Sequence, residues 1–140
     1  MLFEVTSVWS GEGYRGKVKF SDSFALDFFA LPPWGPGGDF TPESCFIASL
    51  SMCYEMFLIG MLKRMRIEPS SIEVKVTGEI ENESDIKPGK AFDRIEIIPR
   101  IKVKEAEKDK ALRAAKLAEE YCFITNSIKV PITLSPEIIT

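Results

Sequence analysis

Residues 41–67 read TPESCFIASLSMCYEMFLIGMLKRMRI, and the reading of this stretch decides the fold. Thr41 suits a helix N-cap, Pro42 the first helical position, and Glu43 the positive end of the helix dipole. Lys63, Arg64 and Arg66 gather near the carbonyl end, where cations are favoured. Between these ends almost every face is apolar, which predicts a helix buried nearly all round. At 1.5 Å per residue the rod would be roughly 36–40 Å long. Ser49, Ser51 and Glu55 within it, and the amphipathic character of its surroundings, argue for a helix inside a soluble assembly rather than a membrane span.

Toward the N-terminus, residues 2–9 read as a strand, and Gly11–Gly13 as a turn. From Tyr14 to Phe20 the pattern alternates, with Tyr14, Val18 and Phe20 on one side and Arg15, Lys17 and Lys19 on the other. Phe24, Leu26 and Phe28 continue a third strand. The loop LPPWGPGGDF, residues 31–40, is too rich in proline and glycine for regular structure and leads into the helix. It lacks the Gly-Lys-Ser/Thr of a phosphate-binding loop, so it reads as a border or cover of a pocket, with Trp34 its one large apolar group.

Toward the C-terminus, Ile72, Val74, Val76 and Ile80 alternate on a strand, and the acidic run 79–85 reads as a solvated hairpin tip. Ala91–Lys104 alternates again, and Pro99 within it predicts an edge or bulged strand. A second helix is predicted over about Glu105–Thr125, with Leu112, Ala115, Ala118 and Cys122 on one stripe and Asn126 as its cap. Ile128, Val130, Ile132 and Leu134 form a last strand. The order βββ–α–ββ–α–β implies an α+β fold with mainly antiparallel pairing. A helix apolar on all faces needs cover on all faces, and one small chain supplies too little; dimerisation around it is the economical answer.

Composition narrows the function. The 140 residues imply one domain, 1–140, able to bury about two thirds of its unfolded surface. A net charge of −3 gives no sign of a nucleic-acid or acidic-membrane partner. Residues 1–10 lack the basic start and apolar run of a signal peptide. Three cysteines, Cys45, Cys53 and Cys122, are too few and too odd in number for a secreted disulfide framework, so a reducing cytoplasm is expected. The absence of histidine excludes Cys–His and Ser–His catalysis and the common histidine-containing zinc sites.

What chemistry remains lies with the cysteines. A thiol peroxidase needs a thiolate to attack the O–O bond, and a second thiol to condense with the resulting sulfenic acid. In the predicted helix Cys122 falls in the last turn, where the negative dipole end disfavours an anion; it suits the resolving role. Cys53 sits at mid-helix among apolar groups, which raises its pKa unless a cation stands near. Arg15, Lys17 and Lys19 share one strand face, and Arg15 is the choice because a guanidinium stays charged when buried. Glu43 is placed to orient it. Taken alone, each has a plainer reading: Cys53 as core packing, Arg15 on a solvated strand, Glu43 as a first-turn carboxylate. Cys45, two turns before Cys53, cannot bridge to it within one helix and reads as core packing.

Two segments resemble the OsmC/Ohr superfamily, the osmotically inducible and organic hydroperoxide resistance proteins. TPESCFIASLSMCYEM, residues 41–56, is similar to the family's N-P-E-x-L…A-C-[FT]-x-M helix, with Pro42, Glu43, Cys53 and Met56 at matching spacing. AEEYCFITNSIK, residues 118–129, is similar to its A-x-x-x-C-P-V-S-K-x-L-K, through Ala118, Cys122 and Lys129. The family's Cys-Pro-Val-Ser is here Cys122-Phe123-Ile124-Thr125. Thr41 replaces the family's asparagine, and Cys45 stands where leucine is usual. The family's catalytic arginine lies near the N-terminus, and Arg15, in GYRGKVKF, is the nearest candidate.

The resemblance implies an intertwined homodimer with the long helices at its centre and active sites at the subunit interface. It implies a cysteine-based peroxidase with Cys53 peroxidatic and Cys122 resolving, and Glu43 and Arg15 at the site. Organic hydroperoxides are the implied substrates and an external dithiol, lipoyl-type or other, the reductant, with no metal or prosthetic group. Phe24, Phe28, Trp34, Phe46, Met52, Met56 and Phe57 are the candidate walls of an apolar pocket. Two rival readings use the same residues: a non-catalytic dimer that binds an apolar ligand, and a redox sensor or thiol-exchange protein.

Overall fold

The computed structural model describes residues 1–82, 84 and 87–140. Of the acidic run expected at a hairpin tip, Glu83 and Asp85 lie outside the described residues. The chain forms two compact units, Met1–Phe46 and Ile47–Thr140.

The first unit is the expected meander. Strands β1 (Thr6–Trp9), β2 (Arg15–Ser21) and β3 (Phe24–Phe29) pair antiparallel in that order. The first strand begins at Thr6 rather than Leu2. Register sets Val8, Lys17 and Asp27 side by side on one face, and Trp9, Gly16 and Phe28 on the other. Lys17 Nζ pairs with Asp27 at 2.7 Å on the charged face. On the apolar face Trp9, Phe20, Phe24 and Leu26 remain exposed. The Pro/Gly segment that follows is irregular, as its composition predicts, and Gly37 N–H closes it on the Ala30 carbonyl at 2.9 Å.

Helix α1 runs Pro42–Arg64. Its start is fixed by a reciprocal cap: Ser44 N–H donates to Thr41 Oγ1 at 3.2 Å, and Thr41 N–H donates to Ser44 Oγ at 2.9 Å. By length and composition α1 is apolar enough to cross a membrane. Here one stripe, Leu50, Tyr54, Leu58 and Leu62, is buried in the core of the second unit. The expectation of a helix covered on every face is corrected for the single chain: Met52 is 61% and Met56 59% exposed. One sheet and one helix cover only the side they pack against.

In the second unit β4 (Ser71–Glu79) pairs antiparallel with β5 (Arg94–Lys102), closely fitted to α1. A Cβ on Gly78 would stand 2.7 Å from Ile47 Cδ1 and 2.9 Å from the Phe92 ring, so glycine permits the approach. On its other side β5 pairs in parallel with β6 (Ile132–Leu134) and then β7 (Glu137–Ile139). Mainly antiparallel pairing is thus only half of this sheet. A strand that returns after a helical crossover lies parallel to the one it left. Pro99 is not on an edge. β5 is central, and Pro99, which has no N–H to give, falls between the stretches held by β6 and β7.

The second helix is also broken. A 3-10 turn (Glu105–Glu107) leads into α2 (Lys108–Tyr121), Cys122 is extended, and α3 runs Phe123–Ser127. Ala111, Ala114, Ala115 and Ala118 are fully buried, and such small side chains let α2 approach its neighbours closely. Tyr54, also fully buried, donates its hydroxyl to the Ala115 carbonyl at 2.8 Å and ties α1 to α2. Burial above all, with the negative charge of Glu119 and the Cys122 thiol, pushes the Tyr54 hydroxyl well above the usual phenol range, so it stays a donor.

Candidate active site

Helix α1 carries Cys53 beside its buried stripe, partly exposed. Cys122 stands at the break between α2 and α3 with φ −67° and ψ 123°, and is completely buried. The two are far apart in sequence, yet close enough in space for the Cys122 thiol to act directly on Cys53. The second unit therefore brings together the two residues expected to form a redox pair.

The break changes the expected electrostatics of Cys122. It lies one residue beyond α2 and serves as the N-cap of α3, its Sγ accepting from Thr125 N–H at 3.5 Å. The reading of Cys122 as a last-turn residue beside carbonyl groups is therefore corrected: an N–H, not a C=O, faces its sulfur. Asn126 closes the break, its side-chain amide donating to the carbonyls of Glu120 and Cys122, each at 2.9 Å. The division of labour between the cysteines follows instead from access. Reagents reach Cys53, and Cys122 is sealed.

Five influences act on the Cys53 thiol. Burial raises its pKa most, and the N–H of Ile124 lowers it. The Cys122 thiol raises it, by its hydrogen bond and then by its charge, and the N–H of Phe123 lowers it. The net direction is upward. Within this unit, then, the two cysteines lie together, and burial favours the neutral thiol at Cys53.

The other candidates lie in the first unit. Arg15 opens β2, and its guanidinium donates to Glu12, with half of its side chain exposed. Glu43 is in the first turn of α1; its Oε2 is buried and makes no hydrogen bond. The expected Arg15–Glu43 pair is not formed here, because Glu12, three residues from Arg15, takes the guanidinium. Cys45 is half-buried on α1 and unbridged.

Of the expected pocket walls, Phe24, Phe28, Trp34 and Phe46 belong to the first unit and Met52, Met56 and Phe57 to the second. A hollow of about 650 Å³ on the apolar face of the first sheet is lined by Trp9, Tyr14, Arg15 and Phe28. A groove of about 370 Å³ on α1 is lined by Met56, Phe57, Gly60, Met61 and Arg64, beginning one turn beyond Cys53. Sequence reasoning missed Phe123 and Ile124, whose contribution is main-chain N–H groups and leaves no mark in residue chemistry.

The family model of OsmC-like proteins matches residues 35–137. The chain belongs to the OsmC-like family. It is 29% identical, over 79% of its length and 76% of the relative's, to the organic hydroperoxide resistance protein-like protein of Staphylococcus aureus (strain USA300). Among solved structures it is similar to an OsmC-like protein of unknown function from Vibrio cholerae, with TM-score 0.81 at 17% identity, over 97% of this chain and 99% of that one. It is also similar to the organic hydroperoxide resistance protein OhrB of Bacillus subtilis, with TM-score 0.63 at 23% identity, over 99% and 98% of the two chains. These structures establish the α+β OsmC-like fold.

Proposed function

We propose that this chain is a thiol-dependent peroxidase that reduces organic hydroperoxides. The observation that carries the reading is the Cys53–Cys122 pair, one thiol partly exposed and one buried, brought close enough to influence each other. The names of the Staphylococcus aureus and Bacillus subtilis relatives point the same way.

The Cys53 thiolate attacks one oxygen of ROOH. The O–O bond breaks, Cys53 becomes a sulfenic acid, and the departing alkoxide takes a proton to leave as ROH. The Cys122 sulfur then attacks the sulfenic sulfur, the S–O bond breaks, and water leaves with the Cys122 proton. An external dithiol, lipoyl-type or other, returns two electrons by thiol–disulfide exchange and is itself oxidised to a disulfide. No metal or prosthetic group takes part.

Burial holds the Cys53 thiol up, so this chemistry needs a cation at the sulfur, and Arg15 is the proposed source, oriented by Glu43 in place of Glu12. The protein works as a soluble cytoplasmic homodimer. Exposed Met52 and Met56 on α1, and Trp9, Phe20, Phe24 and Leu26 on the first sheet, are the surface a second copy covers. The raised Cys53 thiol favours one rival: a redox sensor whose pair oxidises slowly and turns over little.

Cumene hydroperoxide and hydrogen peroxide consumption, with dihydrolipoamide or thioredoxin as donor, tests the proposal in wild type and Cys53→Ser. Rapid loss of the organic peroxide in wild type alone is the expected result. Equal, slow rates for both proteins with every donor would end the peroxidase reading.

A further inference from the structure

Tyr54 follows Cys53 on α1 and is fully buried in the core of the second unit. Its hydroxyl donates to the Ala115 carbonyl on α2 at 2.8 Å. Ala115, Ala118 and Cys122 succeed one another at helical spacing, and all three are fully buried. The bond therefore joins the neighbour of the partly exposed thiol to the helix that delivers the buried one. On the far flank of the pair the Phe57 and Phe123 rings meet, with centroids 5.4 Å apart. The matching family motif carries phenylalanine or threonine after its first cysteine, so the tyrosine hydroxyl is a feature of this chain.

The rest of the buried face of α2 is alanine: Ala111, Ala114, Ala115 and Ala118. Methyl groups make low ridges, which let helices approach but resist sliding weakly. A hydrogen bond is short-ranged and directional, and fixes the slide at one point. A disulfide needs such a fix, because its Cα atoms must come within about 7 Å with their Cβ atoms turned inward.

We propose that Tyr54 is a positioning residue of the thiol pair: its hydroxyl, bonded to the Ala115 carbonyl, sets the register of α2 on α1 at which Cys122 can join Cys53. The proposal rests on the peroxidase reading in taking these two cysteines as the redox pair. Hydroxyl and disulfide restrain the same two helices, so the order that one imposes need not be imposed again by the other, and each strengthens the other.

The test is the equilibrium of the full chain with dithiothreitol. The protein dithiol gives two electrons and two protons to oxidised dithiothreitol, forming the Cys53–Cys122 disulfide and the reduced reagent. Peptide mapping measures the linked fraction. Tyr54→Phe keeps the ring, removes the hydroxyl and installs a residue that the family motif accommodates. A bond that only stabilises the fold contributes equally to the reduced and oxidised proteins and cancels from this equilibrium; a bond that positions the pair does not cancel. No peroxide is used, so a failed peroxidase assay leaves the test standing.

Tyr54→Phe is expected to lower the constant for disulfide formation about threefold, which raises the pair's potential by about 14 mV. Ile101→Val, a buried change in β5 of similar cost to the fold, leaves the constant at the wild-type value. A wild-type protein that forms no Cys53–Cys122 link refutes the pair itself, and this proposal with it. A link whose constant is the same in Tyr54→Phe, or falls equally in Ile101→Val, refutes the positioning role alone.

Discussion

Oxidation of the Cys53–Cys122 pair should stabilise the fold, and the size of the effect follows from where the cysteines sit. A disulfide between them closes a loop of about 70 residues, and in the chain-entropy picture that removes about 4 kcal/mol of unfolded-state freedom. Strain subtracts from this figure. It should be small if, as proposed, the two neighbouring thiols can join by side-chain rotation rather than refolding. One equivalent of cumene hydroperoxide per chain, followed by alkylation of remaining thiols, gives the oxidised sample; the reduced one is kept under dithiol. With an m-value of about 2 kcal/mol/M, the oxidised protein unfolds about 2 M higher in urea. Peptide mapping must show Cys53 linked to Cys122 in that sample. An oxidised form that unfolds at lower urea than the reduced one would refute the claim that the fold presents the two sulfurs ready to join.

Three further outcomes are expected. Tyr54→Phe removes the hydroxyl that reaches the Ala115 carbonyl while keeping the buried ring, and should lower stability by about 1 kcal/mol in equilibrium denaturation. Unchanged stability would deny that the α1–α2 tie matters. In Arg15→Ala, burial and Cys122 act on Cys53 without the proposed cation, so the thiol should titrate above its ordinary value and higher than in wild type. A raised folded pKa means the folded chain keeps a proton the unfolded chain loses. The variant's stability is therefore complete below the ordinary thiol value and declines as pH rises from there through the folded one. Identical alkylation profiles would remove Arg15 from the mechanism. Met56→Asp places a charge on the exposed face of α1 and should give a folded monomer by sedimentation, where wild type sediments as a dimer. Equal masses would contradict the proposed interface.

Much of this was legible in the residues, and the rest was hidden for identifiable reasons. Thr41, Pro42 and the basic cluster fixed both ends of α1, because caps and dipole partners are local chemistry. Alternation placed Arg15, Lys17 and Lys19 together on β2, because side-chain direction has a period of two. The break at Cys122 was invisible. Ala115, Ala118 and Cys122 keep helical spacing straight into it, and Phe123-Ile124-Thr125 carries no glycine or proline to announce a change. Pro99 misled because the loss of one N–H marks a gap in pairing, and the gap here lies between two short strands rather than along an open edge. The partner of Arg15 was beyond reach as well, since Glu12 competes from three residues away across a glycine turn.

The account stands on Cys53 reducing a hydroperoxide with Cys122 completing the cycle, and a single turnover without reductant measures that directly. Reduced wild type should consume one equivalent of cumene hydroperoxide per chain and lose two thiols, with Cys53 and Cys122 joined in the product. Cys53→Ser should consume none, and Cys122→Ser should stop with Cys53 as a sulfenic acid. Wild type that leaves the peroxide untouched, or loses it equally well without Cys53, would contradict the account.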